Sequence, residues 1–258
     1  MKQAYSIVTS FKKKLASLED YTYLVIDILK NITSYKSSWS NTLQEMYAVG
    51  PQALLLVLIG GLFAGMILAT EGGHNLITFG AITVIGRTVT LGMIRELGPV
   101  ITGLLLASRT GAKNTSEIGA MQLSEQIDAL RAFGLSPIKK LVIPRVISAL
   151  VMFLPLTLIA DISGIIGGVF ISHLTFHVDL SYLINSVSQC IKMKDLFVGC
   201  IKPVFFAFFI SSISCYYGLS TSGGTTELGK RAISSVVMSS AVVLGLDVIF
   251  TKIVWEVL

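Results

Sequence analysis

Apolar runs long enough to cross a bilayer alternate with short polar stretches along this chain. A membrane-spanning helix needs about 20 mostly apolar residues, and five segments reach that length: 50–70, about 78–107, 141–172, 196–217 and 232 to about 254. The first opens on Pro51 and carries Gly61 and Gly65 at the spacing that lets two helices approach closely. The third is too long for a simple span, contains Pro144 and Pro155, and sets Asp161 just before Gly164, Gly167 and Gly168. That pattern predicts one tilted, kinked helix packed through its glycines. Between the spans, Glu71-Gly72-Gly73-His74-Asn75 reads as a polar turn with an incidental histidine. Residues 173–194 read as a weakly amphipathic connection and 218–231 as a Gly/Ser/Thr loop.

Two segments follow a different period. From about Ser6 to Trp39, Phe11, Leu15, Leu18, Tyr21, Leu24, Val25, Ile28 and Leu29 recur at three- and four-residue steps among Lys12, Lys13, Lys14, Asp20, Asp27 and Lys30. This is the pattern of an amphipathic helix lying in the membrane interface, or of a soluble arm packed on a partner. After the second span, Ser108-Arg109-Thr110-Gly111-Ala112-Lys113-Asn114 reads as a release into a polar helix over 115–133 that cannot span a membrane. Thr115 or Ser116 is its predicted cap, Glu117 suits its N-terminal dipole end, and Gly134 stops it. Ile118, Met121, Ile127, Leu130 and Phe133 make a partial apolar stripe, with Glu117, Glu125, Asp128 and Arg131 around it. Such a helix is a handle for a soluble partner, or simply rests on the membrane surface.

The chain is organised around Arg95-Glu96-Leu97-Gly98-Pro99, which places two charges inside the second apolar run. An ionisable group at mid-membrane depth costs roughly 2.5 to 3.5 kcal/mol on insertion scales, so it faces a protein interior or a watery cavity and takes a partner. Sequence neighbours point about 100° apart on a helix, so Arg95 and Glu96 are expected to have separate partners. Pro99 removes a backbone hydrogen bond beside Gly98. A broken helix is tolerated at membrane depth only where freed carbonyls meet protein or water.

Composition agrees with the pattern. Hydrophobic residues make up 53% of the 258, charged residues only 14%, and mean hydropathy is +0.76. Soluble domains carry about 25% charged residues. The net charge of +5 does not form one patch, which argues against nucleic acid. Fourteen of the 20 basic residues fall in the N-terminal arm, the 109–145 region and the end of the 218–231 loop. All three lie on one side of a five-span layout, which the positive-inside rule makes the cytoplasm. No cleaved signal peptide is expected at the start. Cys190, Cys200 and Cys215 have no CxxC spacing and read as small buried residues.

No catalytic constellation or metal-ligand spacing emerges. Gly224 to Lys230 matches GxxxxGK, but Arg231 follows where a P-loop needs Ser or Thr, and no strand precedes it. A proton-coupled secondary carrier relaying through Glu96, Asp161 and Asp247 is one reading, although carriers are usually built from repeated halves and none is visible. A small permease energised by a separate nucleotide-hydrolysing subunit is the other, and it gives the polar helix a task. Five spans enclose little space, so a dimer is expected.

Six motifs carry a resemblance: Arg95-Glu96-Leu97-Gly98-Pro99, Arg109-Thr110-Gly111-Ala112, Glu117-Ile118-Gly119-Ala120-Met121, Glu125-Gln126-Ile127-Asp128-Ala129-Leu130, Pro144-Arg145 and Val243-Leu244-Gly245-Leu246-Asp247. Together, over about 50–255, the chain resembles the MlaE/YrbE permeases, membrane subunits of MCE-associated ABC transporters that move phospholipids or other lipids between bacterial membranes. The resemblance implies an all-α integral membrane protein of the bacterial inner membrane. Its parts would be an N-terminal amphipathic interfacial helix over 1–45, a permease domain over 46–258 with about five spans, and a cytoplasmic coupling helix. It implies a non-catalytic homodimer contributing to outer-membrane lipid asymmetry or lipid trafficking. A partner ATPase, binding ATP and Mg, would grip Glu117, Met121, Glu125, Gln126, Asp128 and Leu130, and a ring of MCE-domain protein would sit on the outer face. Arg95 and Glu96 would lie at the lipid pocket, with Leu62, Met66, Leu68, Leu76 and Phe79 as candidate acyl-chain contacts. Arg95 is fitted to hold phosphate through its fork of donors. Glu96 either contacts lipid or pairs with a basic group elsewhere. The 220–230 loop varies among such proteins and carries nothing over.

Overall fold

A backbone in hydrocarbon must satisfy its own hydrogen bonds, and with no strand-forming pattern the helix is the available solution. The computed structural model of the chain describes residues 2–32 and 39–257, with side chains described for 17–32, 39–253 and 256. Its helices are α1 (Lys2–Ile32), α2 (Trp39–Val49), α3 (Leu54–Thr78), α4 (Ile85–Gly92), α5 (Gly98–Leu106), α6 (Ala112–Leu123), α7 (Gln126–Ala132), α8 (Ile143–Phe176), α9 (Leu180–Cys190), α10 (Met193–Leu219) and α11 (Thr225–Val257). Five stretches are long and apolar enough to cross a membrane: Trp39–Thr78, Ile82–Leu123, Ile138–Phe176, Met193–Leu219 and Thr225–Ile253. The all-α membrane fold with five spans agrees with the sequence pattern.

The closest packing joins α3 to α8, and glycine makes it. A Cβ placed on Gly65 would lie 1.8 Å from the carbonyl oxygen of Gly164, and one on Gly61 would lie 2.5 Å from that of Ala160. In return, a Cβ on Gly167 would lie 2.5 Å from the carbonyl oxygen of Leu62. The two glycine sets noted in the sequence therefore face each other. Dispersion between closely apposed backbones replaces the hydrophobic driving force that lipid does not supply. Helix α1 rests on the other end of the bundle: Leu24 and Ile28 are buried with Ile118, Ile127, Val142 and Val146. Its Tyr21 hydroxyl meets the Ser212 hydroxyl at 2.9 Å, and its ring meets Tyr216 edge to face. Leu18, Tyr23, Ile26 and Leu29 stay exposed on its outer side. The side chains of Phe11, Lys12, Lys13, Lys14 and Leu15 lie outside the described residues.

Several boundaries differ from those read in the sequence. Residues 71–75 are not a turn; α3 runs on to Thr78 and ends in a left-handed Gly80 (φ +66°), with Ala81 N–H donating to Leu76 C=O. Gly73 is tolerated in the helix because Phe176 packs where its side chain would be. Residues 108–114 are not a release from the membrane helix but its continuation into α6. Thr115 is accordingly no cap: it is buried mid-helix and donates to the carbonyls of Gly111 and Ser214, both at 3.0 Å. The polar helix expected over 115–133 breaks at Glu125 (φ 59°), and only the short α7 stands apart. Gly134 does end α7, at φ +72° with Leu135 N–H closing on Leu130 C=O, the glycine-stop geometry. The 173–194 connection folds into α9, capped by Asp179 accepting from Tyr182 N–H. Within 218–231, α11 has already begun at Thr225. The division drawn at 45/46 falls inside α2.

The glycine interface makes a direct prediction. Gly65→Ala drives a side chain into backbone that cannot move aside, and should destabilise the chain by about 1 to 3 kcal/mol. Gly229→Ala, inside α11 with nothing within 4 Å, should be neutral or stabilising by up to about 1 kcal/mol. Thermal unfolding of both variants in one detergent checks this.

Candidate functional site

The second span bends its hydrogen-bond pattern where Arg95 and Glu96 sit. Pro99 has no N–H for the carbonyl four residues earlier, and its ring crowds that carbonyl. The helix does not break, as the sequence suggested; it widens into a π turn over Met93–Leu97, with Gly98 N–H donating to Met93 C=O. Gly98 is required for a second reason: a Cβ there would lie 1.6 Å from Asp161 Oδ1 of α8. Asp161 is buried, and that oxygen has no hydrogen-bond partner among the described residues.

As expected, the two charges take separate partners. The Arg95 guanidinium donates through Nε and Nη2 to Asp195 Oδ1, at 2.8 Å through Nε. Asp195 is 5% exposed in its side chain and also accepts Lys192 N–H on Oδ2, capping α10. Glu96 turns to Lys202 of α10, whose ammonium is fully buried and donates to Glu96 Oε2 (2.7 Å), Asp247 Oδ1 (2.8 Å) and Thr251 Oγ1 (3.1 Å). The Thr251 hydroxyl donates on to Glu96 Oε2 at 2.9 Å, closing the ring. All three ammonium protons are used, which is the condition under which a buried lysine is tolerable. Arg95 and Glu96 nonetheless keep 34% and 37% side-chain exposure, so neither is sealed by its partner.

Lys202 and Asp195 were missed in the sequence because each sits in or beside an apolar run and was read as part of it. A charge count would have found Lys202: with Arg95 given one partner, Glu96 and Asp247 still need a cation at membrane depth. The apolar candidates are placed elsewhere on the bundle. Leu68 packs on Gly92 and Met66 on Gly167. Leu76 joins Leu68 in the cluster around Val89 and Met93, Leu62 is half-buried, and Phe79 stands 82% exposed at the end of α3.

A second ionic group lies at the opposite end of the bundle. Arg145, at the start of α8 and 5% exposed, donates to Glu45 Oε1 of α2 (3.1 Å) and Glu117 Oε2 of α6 (2.8 Å). Lys113 completes it at 3.3 Å from Glu45 and 3.5 Å from Glu117. Nearby, Arg109, in a second π turn over Ala107–Gly111, donates to Ala48 C=O at 3.0 Å. Glu117 is thus committed within the chain, and Met121 is half-buried against the α1 cluster. Glu125, Gln126 and Asp128 are exposed, Asp128 pairing with Arg131 at 2.9 Å; Leu130 is half-buried. Ile127 anchors α7 at 0% exposure, while Phe133 beyond it is 81% exposed.

Lys202→Met should cost about 3 kcal/mol or more, because Glu96 and Asp247 are left facing each other without a cation. Adding Glu96→Gln and Asp247→Asn to the same chain should recover most of that loss. Unfolding in lipid nanodiscs measures both; an unaffected single variant would remove the lysine from its assigned role.

The family model described as "Permease MlaE" matches residues 42–253. The chain is 34% identical to a probable ABC transporter permease protein of Synechocystis over 217 residues, covering 84% of this chain and 82% of that one. It is 36% identical to the intermembrane phospholipid transport system permease protein MlaE of Haemophilus influenzae, with 82% of each chain covered. It is 32% identical to the chloroplastic protein TRIGALACTOSYLDIACYLGLYCEROL 1 of Arabidopsis thaliana, over 90% of this chain and 65% of that one. By these matches the chain belongs to the MlaE permease family.

Proposed function

We propose that this chain is the membrane subunit of an ABC transporter that moves phospholipid, with ATP hydrolysed on a separate subunit. The observation that carries the reading is the Arg95–Asp195 and Glu96–Lys202–Asp247 group: buried charge gathered in an apolar bundle, with Arg95 and Glu96 still partly exposed. A phospholipid needs that combination, an apolar wall for its tails and fixed charge for its headgroup. The name of the Haemophilus relative supports the same substrate class.

The rest of the assembly follows from surfaces left uncovered. Only 17% of the most apolar stretch of α11 is buried within the chain, against 56% for α10, and Ile233, Val237 and Val248 are each more than 60% exposed. A second copy of the chain, packing there to enclose the lipid, is the proposed cover. Phe79 and the half-buried Leu62, Met66, Leu68 and Leu76 of α3 are offered as acyl-chain contacts. At the other end, exposed Glu125, Gln126 and Asp128 with Phe133 form the proposed seat of the ATPase, and Glu117 transmits its movement through Arg145 to α2 and α8. An MCE-domain ring on the far side, residence in the inner membrane and a part in lipid asymmetry complete the proposal.

Removing Arg95 alone orphans Asp195, so the test pairs the changes. Arg95→Ala with Asp195→Asn should lower co-purified phospholipid about tenfold, the loss of one charge-assisted contact, with little change in unfolding temperature; mass spectrometry of the purified chain reads it. Unchanged lipid content would exclude Arg95 from the pocket. In parallel, Glu125→Lys with Asp128→Lys should abolish recovery of the ATPase subunit while leaving the permease inserted, and recovery of the intact complex would dismiss α7 as its seat.

A further inference from the structure

A polar cavity of about 530 Å³ lies between α4 and α9, on the side of the bundle away from α7. Arg87, Lys192, Tyr182, Asn185, Ser186 and Gln189 line it, together with the thiol of Cys190. Its wall holds two full positive charges, two amides and two hydroxyls, and no carboxylate. Neither Arg87 nor Lys192 takes part in an ion pair among the described residues. Unpaired cations beside neutral donors make an anion site, and the guanidinium fork suits a phosphate oxygen pair.

Its position gives this charge a use. Arg87 precedes Arg95 by eight residues on the same rod, about 12 Å along the axis. Asp195 lies between the two sites: Oδ2 holds the Lys192 backbone at the cavity rim while Oδ1 holds Arg95. The other flank of α9 is an apolar groove of about 490 Å³ lined by Leu180, Ile184 and Val187 against Ile166, Val169 and Phe170. One short helix therefore carries a cationic pocket on one side and an apolar groove on the other. A free anion would use only the first; an amphiphile uses both.

We infer that the α4–α9 cavity is a second phosphate-ester site, which takes the headgroup of an anionic phospholipid on its way to or from the Arg95 cluster. The choice of a lipid over a soluble phosphate ester rests on the permease reading; the anion site itself does not.

Cys190 lines the cavity and reports on it. Burial pushes its thiol above the ordinary range, which lowers its thiolate fraction and slows alkylation. The full chain with Cys200→Ala and Cys215→Ala is placed in phosphatidylcholine nanodiscs, and maleimide labelling of Cys190 is followed with phosphatidylglycerol added to the disc or glycerol phosphate added to the buffer. Phosphatidylglycerol should protect Cys190, and Arg87→Gln with Lys192→Gln should weaken that protection about tenfold or more. Protection by glycerol phosphate at least as strong would overturn the lipid assignment and keep the anion site. No protection by either, or protection indifferent to the double substitution, would overturn the site itself. Phospholipid co-purifying with the chain in detergent is measured before the discs are assembled: its presence beside an indifferent Cys190 sinks the cavity alone, while its absence beside a protected Cys190 sinks the permease reading alone.

Discussion

One lysine ammonium sits fully buried between three membrane helices, and the polar part of the bundle depends on it. Lys202 has no exposed surface and spends its donors on Glu96, Asp247 and Thr251, from the second and fifth spans. Separating the helices would strip the buried ammonium of both carboxylates and leave an uncompensated ion, so the three helices are held in register by that cost. The π turn is part of this arrangement: it stands where Pro99 cannot donate and carries Arg95 and Glu96 to their separate partners. Gly98 and Asp161 fix the same turn from the side of α8.

The glycine contact between α3 and α8 is complementary to that constraint. It has no charge at its centre, and the Ser163 hydroxyl there is turned back onto Ala160 C=O, so backbones come close enough for dispersion to act. It gives the bundle a rigid wall, against which the polar group on spans two, four and five is set. The carrier alternative weakens on the same geometry. Glu96 and Asp247 share Lys202 as counter-ion, while Asp161 sits apart against Gly98, so the three carboxyls do not form a relay.

The span count was legible because hydropathy over 20 residues is a coarse quantity that tertiary packing cannot overturn. The Arg95-Glu96 site was legible for the same reason, since charge at membrane depth is expensive wherever it lies. Local polarity misled. Residues 71–75 and 108–114 look like loops, yet a span does not end where its residues turn polar; it ends where the backbone finds a stop, and Gly80 and Glu125 supply it. Glu117 looked like a surface handle because its partner Arg145 lies 28 residues away on another helix. Pairings of that kind, like Arg95 with Asp195 across 100 residues, are set by tertiary approach. Neither period nor spacing encodes them.

On the proposed function, a phospholipid occupies the bundle beside the Arg95 cluster and a separate ATPase acts on it. The direct measurement is a photo-reactive residue at Leu97, in chain co-expressed with its ATPase in cells fed radiolabelled phosphate. The account predicts a labelled phospholipid adduct at that position whose yield changes when ATP is supplied to the purified complex. No adduct at Leu97 from a complex that hydrolyses ATP would contradict it.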